Sequence, residues 1–246
     1  EGSLTMWFEL IACDIFVREV SYYVATSPHA IDMTFLEKGL HEKPDYLRQG
    51  LQQKIDQTSS LEKKYDATLL AYALCGNATQ GLIARDIPVV IPKAHDCITL
   101  FLGSRERYMV EFNEKPGTYY YTPSAIERGY TVGAETSLSK EKKYAEYLEK
   151  YGEDNAKYLM EMEDGFTKNY SYAAFIDLEP FRFLNCPERV KEIARNKSLE
   201  YRELPGNLCL LQELVYGDWN ENKFLVLQPG QKMEASNDER VIHAVE

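Results

Sequence analysis

The sequence predicts an α/β protein of two Rossmann-like halves with mostly parallel sheets and a cleft between them. Short apolar runs alternate with helix-like segments up to about residue 117, as in strands joined by crossover helices. The alternation resumes after residue 171. The string Leu74-Cys75-Gly76-Asn77, then a helix-like stretch, then Pro88-Val89-Val90-Ile91-Pro92 is faintly echoed by Leu204-Pro205-Gly206-Asn207, a helix-like stretch, and Phe224-Leu225-Val226-Leu227. Two similar halves facing one another would produce such an echo.

In order, Met6–Ala12, Ile31–Leu36, Ala67–Leu74 and Ile87–Ile91 are short, apolar and stopped by polar or glycine-containing turns, so each is expected to be a strand. Between them, Ile15–Ala25 is expected to be a helix ended by Ser27-Pro28, and Pro44–Gln57 a helix with proline in its first turn. A short helix is expected near Gln80–Ala84, and the fourth strand runs through Ala94-His95-Asp96 into Cys97–Phe112, which opens as a helix. Gly117 to Pro123 is β-rich and aromatic, a strand or extended loop. Leu138–Phe166, rich in Lys, Glu, Tyr, Leu and Met, is expected to be helical with an interruption near Gly152. Then follow strand Tyr172–Asp177, helix Pro187–Asn196, strand Leu199–Leu204, helix Leu208–Tyr216 and strand Phe224–Leu227. The expected organisation is a first half over 6–117, an aromatic strand and helical insertion over 118–170, a second half over 171–230 and a loosely ordered tail over 231–246.

Composition narrows the partners. A chain of 246 residues with 44% apolar content can bury a core. A net charge of −11 disfavours nucleic acid and anionic membrane surfaces. No apolar run reaches the roughly 20 residues of a membrane span, and the amino terminus has no secretory apolar segment, so a cytoplasmic protein is expected. Five cysteines without the spacing of a disulfide scaffold suit a reducing compartment.

Cys13, Cys75 and Cys97 each lie just past a predicted strand. If those strands are parallel neighbours, their carboxyl ends share the edge where α/β proteins bind ligands, and the three thiols converge there as candidate metal ligands. His41 follows the second strand, and His95 with Asp96 precedes Cys97. Either imidazole is a candidate ligand or acid–base group. Asp96 either orients an imidazole or simply caps the helix, whose dipole would favour a Cys97 thiolate. Taken singly, each cysteine is more often a core residue than a ligand. Gly76-Asn77 and Gly103-Ser104 mark close backbone approach or tight turns. Arg105 and Arg107 could hold a carboxylate or phosphate, and Tyr120 belongs to a tyrosine run in which alternate side chains face inward. Cys186 is a further possible ligand, Cys209 a core residue, and no dinucleotide fingerprint or Walker motif is present.

The strings Ala73-Leu74-Cys75-Gly76-Asn77, Ile91-Pro92-Lys93-Ala94-His95-Asp96-Cys97-Ile98-Thr99-Leu100, Leu102-Gly103-Ser104 and Gly117-Thr118-Tyr119-Tyr120 resemble a widespread group of uncharacterised bacterial and archaeal proteins. These are carried by anaerobes and methanogens and often encoded beside corrinoid-dependent methyltransferases. The likeness runs over most of residues 6–230. Lys93 stands where the group has arginine, and Ser124-Ala125 where it has Gly-Trp. The resemblance implies a one-carbon, methyl-transfer context with a small-molecule substrate and a corrinoid protein as partner. Combined with the thiols, it leads to the expectation of zinc, or alternatively a [4Fe-4S] cluster, bound by Cys13, Cys75 and Cys97. The competing expectation is a non-catalytic binding or accessory protein with core cysteines.

Overall fold

The computed structural model describes residues 5–37, 43–60, 63–129, 144–145, 147–167 and 169–246, without the side chains of 161–167. The chain is α/β, and its sheets are mostly parallel. It divides into two compact units, residues 1–108 with 206–246 and residues 109–205.

The first unit carries a five-stranded sheet. β1 (Trp7–Cys13) lies between β2 (Ala30–Leu36) and β3 (Ala67–Ala71), followed by β4 (Val89–Pro92), with all three pairings parallel. β1, β3 and β4 read as near-continuous apolar runs because both faces are covered, whereas the edge strand β2 is partly exposed and carries Asp32 and Thr34. On one face, α2 (Pro44–Ser60) buries Leu47, Leu51 and Ile55, one stripe of the helix, against Ile11, Leu70 and Ile91. On the other, Phe8 meets Trp219 with ring centroids 5.4 Å apart, and α1 (Val17–Val24) packs against a helix supplied by the last part of the chain. Glu9 is the polar exception inside β1. It is buried, and its Oε1 accepts a 2.7 Å hydrogen bond from Thr34 Oγ1, while desolvation raises its pKa.

Several expectations are corrected here. Gln80–Ala84 is not helical, because residues 75–81 form a continuous turn. The run from Cys97 to Phe112 is two helices, α3 (Cys97–Leu102) and α4 (Arg105–Glu114), broken at Gly103 with φ +87°. Ser104 Oγ then accepts from the Arg107 N–H at 3.2 Å and starts α4. In the second unit, β5 (Thr118–Tyr121), α5 (Pro123–Glu127), α6 (Glu153–Thr167), β6 (Tyr172–Asp177), α7 (Pro187–Lys197) and β7 (Glu200–Pro205) follow in order. The three strands make a parallel sheet in sequential order, with Tyr121, Phe175, Val190 and Ala194 in its core. The predicted interruption at Gly152 is present, with φ +78°. Residues 130–143 of the insertion lie outside the described residues.

The expected second half over 171–230 is divided between the units. After β7 the chain rejoins the first unit through α8 (Cys209–Tyr216), which packs on β3 and β4 and against α1 and α3. β8 (Phe224–Leu227) then pairs antiparallel with β4 and closes that edge of the first sheet. The tail is ordered as well. β9 (Lys232–Ala235) and β10 (Ile242–Val245) form a hairpin that buries Met233, Val241 and Ile242 in the α2-side core. It is stitched to the turn after β3 by Gly81 N–H to Met233 O at 2.7 Å and Met233 N–H to Leu82 O at 2.8 Å. Its apolar side chains alternate with charged ones, which hides the hairpin in a polar composition.

Gly103 shows how tightly the returning chain is fitted. A Cβ there would stand 2.8 Å from Asn207 Cβ and 2.9 Å from the Asn207 carbonyl oxygen, and Asn207 N–H donates to Phe101 O at 2.9 Å. Gly103→Ala is therefore expected to lose about 2–3 kcal/mol by urea denaturation, from positive-φ strain plus a clash with backbone. A loss below about 0.5 kcal/mol would show that this junction yields.

Candidate functional site

The order β2-β1-β3-β4 reverses direction between β1 and β3, and at such a switch the crevice beyond the carboxyl ends is where open α/β sheets bind ligands. A cavity of about 320 Å³ opens there. Its lining includes Cys13, Tyr72, Cys75, Gly76, Asp96 and Cys97, with Ile15, Phe16, Leu47 and Glu37 among the other walls. All three predicted thiols thus meet one cavity. Each is half-buried and outside any disulfide.

Local geometry explains how each arrives. Cys13 ends β1 and precedes a 3₁₀ turn, Asp14–Phe16, with its Sγ 3.9 Å from Asp14 Oδ1. Past the ends of β3 and β4 the pairing continues through Leu74 N–H to Ala94 O at 2.9 Å and Cys75 N–H to His95 O at 3.0 Å. These bonds hold the loops that bear Cys75 and Cys97 side by side. The chain then turns through three successive left-handed residues, Cys75, Gly76 and Asn77, at φ +48°, +62° and +69°. For Cys75 and Asn77 that conformation costs on the order of 1 kcal/mol each. The turn is held by buried Thr79, whose Oγ1 donates to Ala73 O at 3.2 Å, and by Arg48 Nη2 donating to Asn77 O at 3.0 Å. Gly76 is there for its dihedral, since a Cβ would meet nothing within 4 Å.

Asp96 is the N-cap of α3. Its Oδ1 accepts from the N–H groups of Ile98 at 3.0 Å and Thr99 at 3.3 Å, and the carboxylate still lines the cavity. Cys97 begins α3, which is only six residues long. Burial pushes the Cys75 thiol up to about 11, a nearby backbone hydrogen bond at Ala73 opposing and the Asp96 charge adding to the rise. Cys75 is therefore a neutral thiol at pH 7.

The His95 ring is exposed and outside the lining; what His95 contributes is its carbonyl. His41 and Gly39 lie outside the described residues. Arg105 donates to the Glu239 carbonyl, and Arg107 Nη1 to Leu102 O at 3.4 Å. Tyr120 is on β5 in the second unit. Cys186 is buried beneath α7 in that unit, and Cys209 Sγ donates to Gly103 O at 3.3 Å. Among the described residues of this group, none lines the cavity.

The residue that sequence reading missed is Tyr72. It is 3% exposed, it lines the cavity, and its hydroxyl is enclosed without a hydrogen-bond partner. Burial drives its pKa far up, and the Cys13, Cys75 and Asp14 side chains are near enough for their charges to add to the shift. The available signal was a lone phenol within the largely aliphatic run Ala67–Leu74, in step with inward-facing Leu70.

Among the described residues, no group of three or more His, Cys, Asp and Glu side chains is placed to hold a metal ion. None of the described helices is long and apolar enough to cross a membrane. Comparison with curated proteins and with solved structures gives no significant match. One family model matches residues 35–215, which takes in Tyr72, Cys75, Asp96 and Cys97 and well over half of the chain. The chain therefore belongs to the family described as "Protein of unknown function (DUF1638)".

Proposed function

We propose that this protein binds a small organic molecule in the thiol-lined cavity at the β1/β3 switch. The observation that carries this reading is the Tyr72 hydroxyl. A buried hydroxyl without a partner costs roughly 1–3 kcal/mol, and a ligand that hydrogen-bonds to it recovers that cost on binding. The strained Cys75-Gly76-Asn77 turn supports the same reading, since such strain concentrates where function requires a particular shape. The volume is at the small end of the roughly 300–1,000 Å³ range of ligand sites, and the walls combine apolar surface with a few polar groups.

The alternative is zinc or an iron–sulfur cluster held by Cys13, Cys75 and Cys97 for methyl transfer, with a corrinoid protein as partner. The convergence of three thiols on one cavity favours it. Against it, the described donors do not form a metal-holding group as placed, and Cys75 would have to lose a tightly held proton.

Three measurements bear on this choice. Tyr72→Phe is expected to raise stability by about 1 kcal/mol in urea titrations, because it deletes an unsatisfied group; a comparable loss would mean that the hydroxyl is bonded and would remove the main support. Cys75 should alkylate with iodoacetamide about a hundredfold more slowly at pH 7 in the native protein than in the urea-unfolded chain. Its native rate should climb tenfold per pH unit up to about 11, while the unfolded thiol levels off near its ordinary 9.0. Elemental analysis of protein purified without oxygen or chelator should find zinc and iron well below one per chain. Stoichiometric metal that disappears in Cys97→Ala would establish the alternative.

A further inference from the structure

We infer that the molecule recognised in this cavity is a small organic cation, an apolar body bearing a protonated amine, and this rests on the binding reading given above. The charged side chains among the described lining residues are Glu37 and Asp96, both carboxylates. Asp14, within electrostatic reach of Tyr72, adds a third. No Lys, Arg or His is among those lining residues. An anionic ligand would be repelled by these carboxylates, at a site where apolar walls weaken screening. An ammonium group would meet carboxylates at the wall beside the aromatic residues Phe16 and Tyr72, whose rings attract cations that reach their faces.

The enclosed Tyr72 oxygen gives the independent sign of a partner. It is more than nine-tenths buried, lacks a hydrogen bond, and has lone pairs that accept from an N–H donor. A carboxylate or phosphate could take its proton but would lie beside Asp96 and Glu37. An amine satisfies the hydroxyl and the carboxylates together. The half-buried thiols then serve as polarisable wall, and their accessibility reports occupancy.

Three probes of nearly one shape separate charge from fit: benzylammonium, benzyl alcohol and benzoate. Alkylation of Cys75 and Cys97 by iodoacetamide at pH 8, followed by peptide mass spectrometry, reads occupancy. Cys209, outside the cavity, is the internal control. Benzylammonium is expected to halve the Cys75 and Cys97 rates at a concentration about tenfold lower than benzyl alcohol, with benzoate inactive and Cys209 unaffected. Glu37→Gln, at an exposed position, should cut the preference for benzylammonium over benzyl alcohol about threefold. Equal protection by benzylammonium and benzyl alcohol would leave the binding reading standing and overturn the cation inference. Protection by benzoate at the same concentration would overturn it too. Failure of all three probes to protect either thiol would overturn both readings.

Discussion

Two hydrogen bonds beyond the formal ends of β3 and β4 set the geometry of the whole site: Leu74 N–H to Ala94 O and Cys75 N–H to His95 O. Parallel pairing already brings the carboxyl ends of β1, β3 and β4 to one edge. Without these two bonds, however, the loops after β3 and β4 would diverge, and a shared edge would not become a shared cavity. Because the bonds use main-chain groups, they leave the side chains of Cys75, Asp96 and Cys97 to face a common space. They also explain why His95, prominent in the sequence, contributes a carbonyl while its ring is exposed.

The turn that follows is energetically costly, and its surroundings are built to hold it. Left-handed Cys75 and Asn77, together with the unsatisfied Tyr72 hydroxyl, cost a few kcal/mol in total. The opposing contributions come from the α2-side core, where Leu47, Leu51, Leu70, Leu82 and Ile91 are essentially fully buried. The β9–β10 hairpin anchors the far end of the turn through its bonds to Gly81 and Leu82. A tail of polar, charged composition is therefore part of the scaffold that holds Cys75 in place.

Much of this was legible in the sequence, for a definite reason. Apolar runs ending in cysteine, spaced by helix-length segments, imply parallel strands, and parallel strands align their carboxyl ends. That reasoning placed Cys13, Cys75 and Cys97 at one edge, and Gly103-Ser104 was readable as a close approach or tight turn, though not as the break between two helices. What was not legible depended on pairing partners distant in sequence. Nothing local in Phe224-Leu225-Val226-Leu227 says that it pairs antiparallel with β4. Met233 is flanked by charged residues and Val241-Ile242 follows a charged stretch, and only the hairpin brings them into one core. Tyr72 read as ordinary strand, because an orphaned hydroxyl is a property of its enclosure and not of its neighbours in the chain.

The apparent internal repeat shows how the two units differ, and why the site belongs to the first. Leu74-Cys75-Gly76-Asn77 and Leu204-Pro205-Gly206-Asn207 look alike, and each follows a strand of a parallel sheet. Cys75 takes φ +48°, whereas proline is locked near −65°, so Pro205 cannot build the same left-handed turn. The chain leaves β7 extended and Asn207 docks on α3. The second sheet also runs β5-β6-β7 without a reversal, so it has no switch point to open a crevice. A cavity of about 310 Å³ does lie at its carboxyl edge, but the Asp177 carboxylate there is already taken by the Arg182 guanidinium through Nε at 2.8 Å. That pair satisfies itself, whereas the Tyr72 hydroxyl does not, and the difference is what singles out the thiol-lined cavity as the place where a ligand has something to gain.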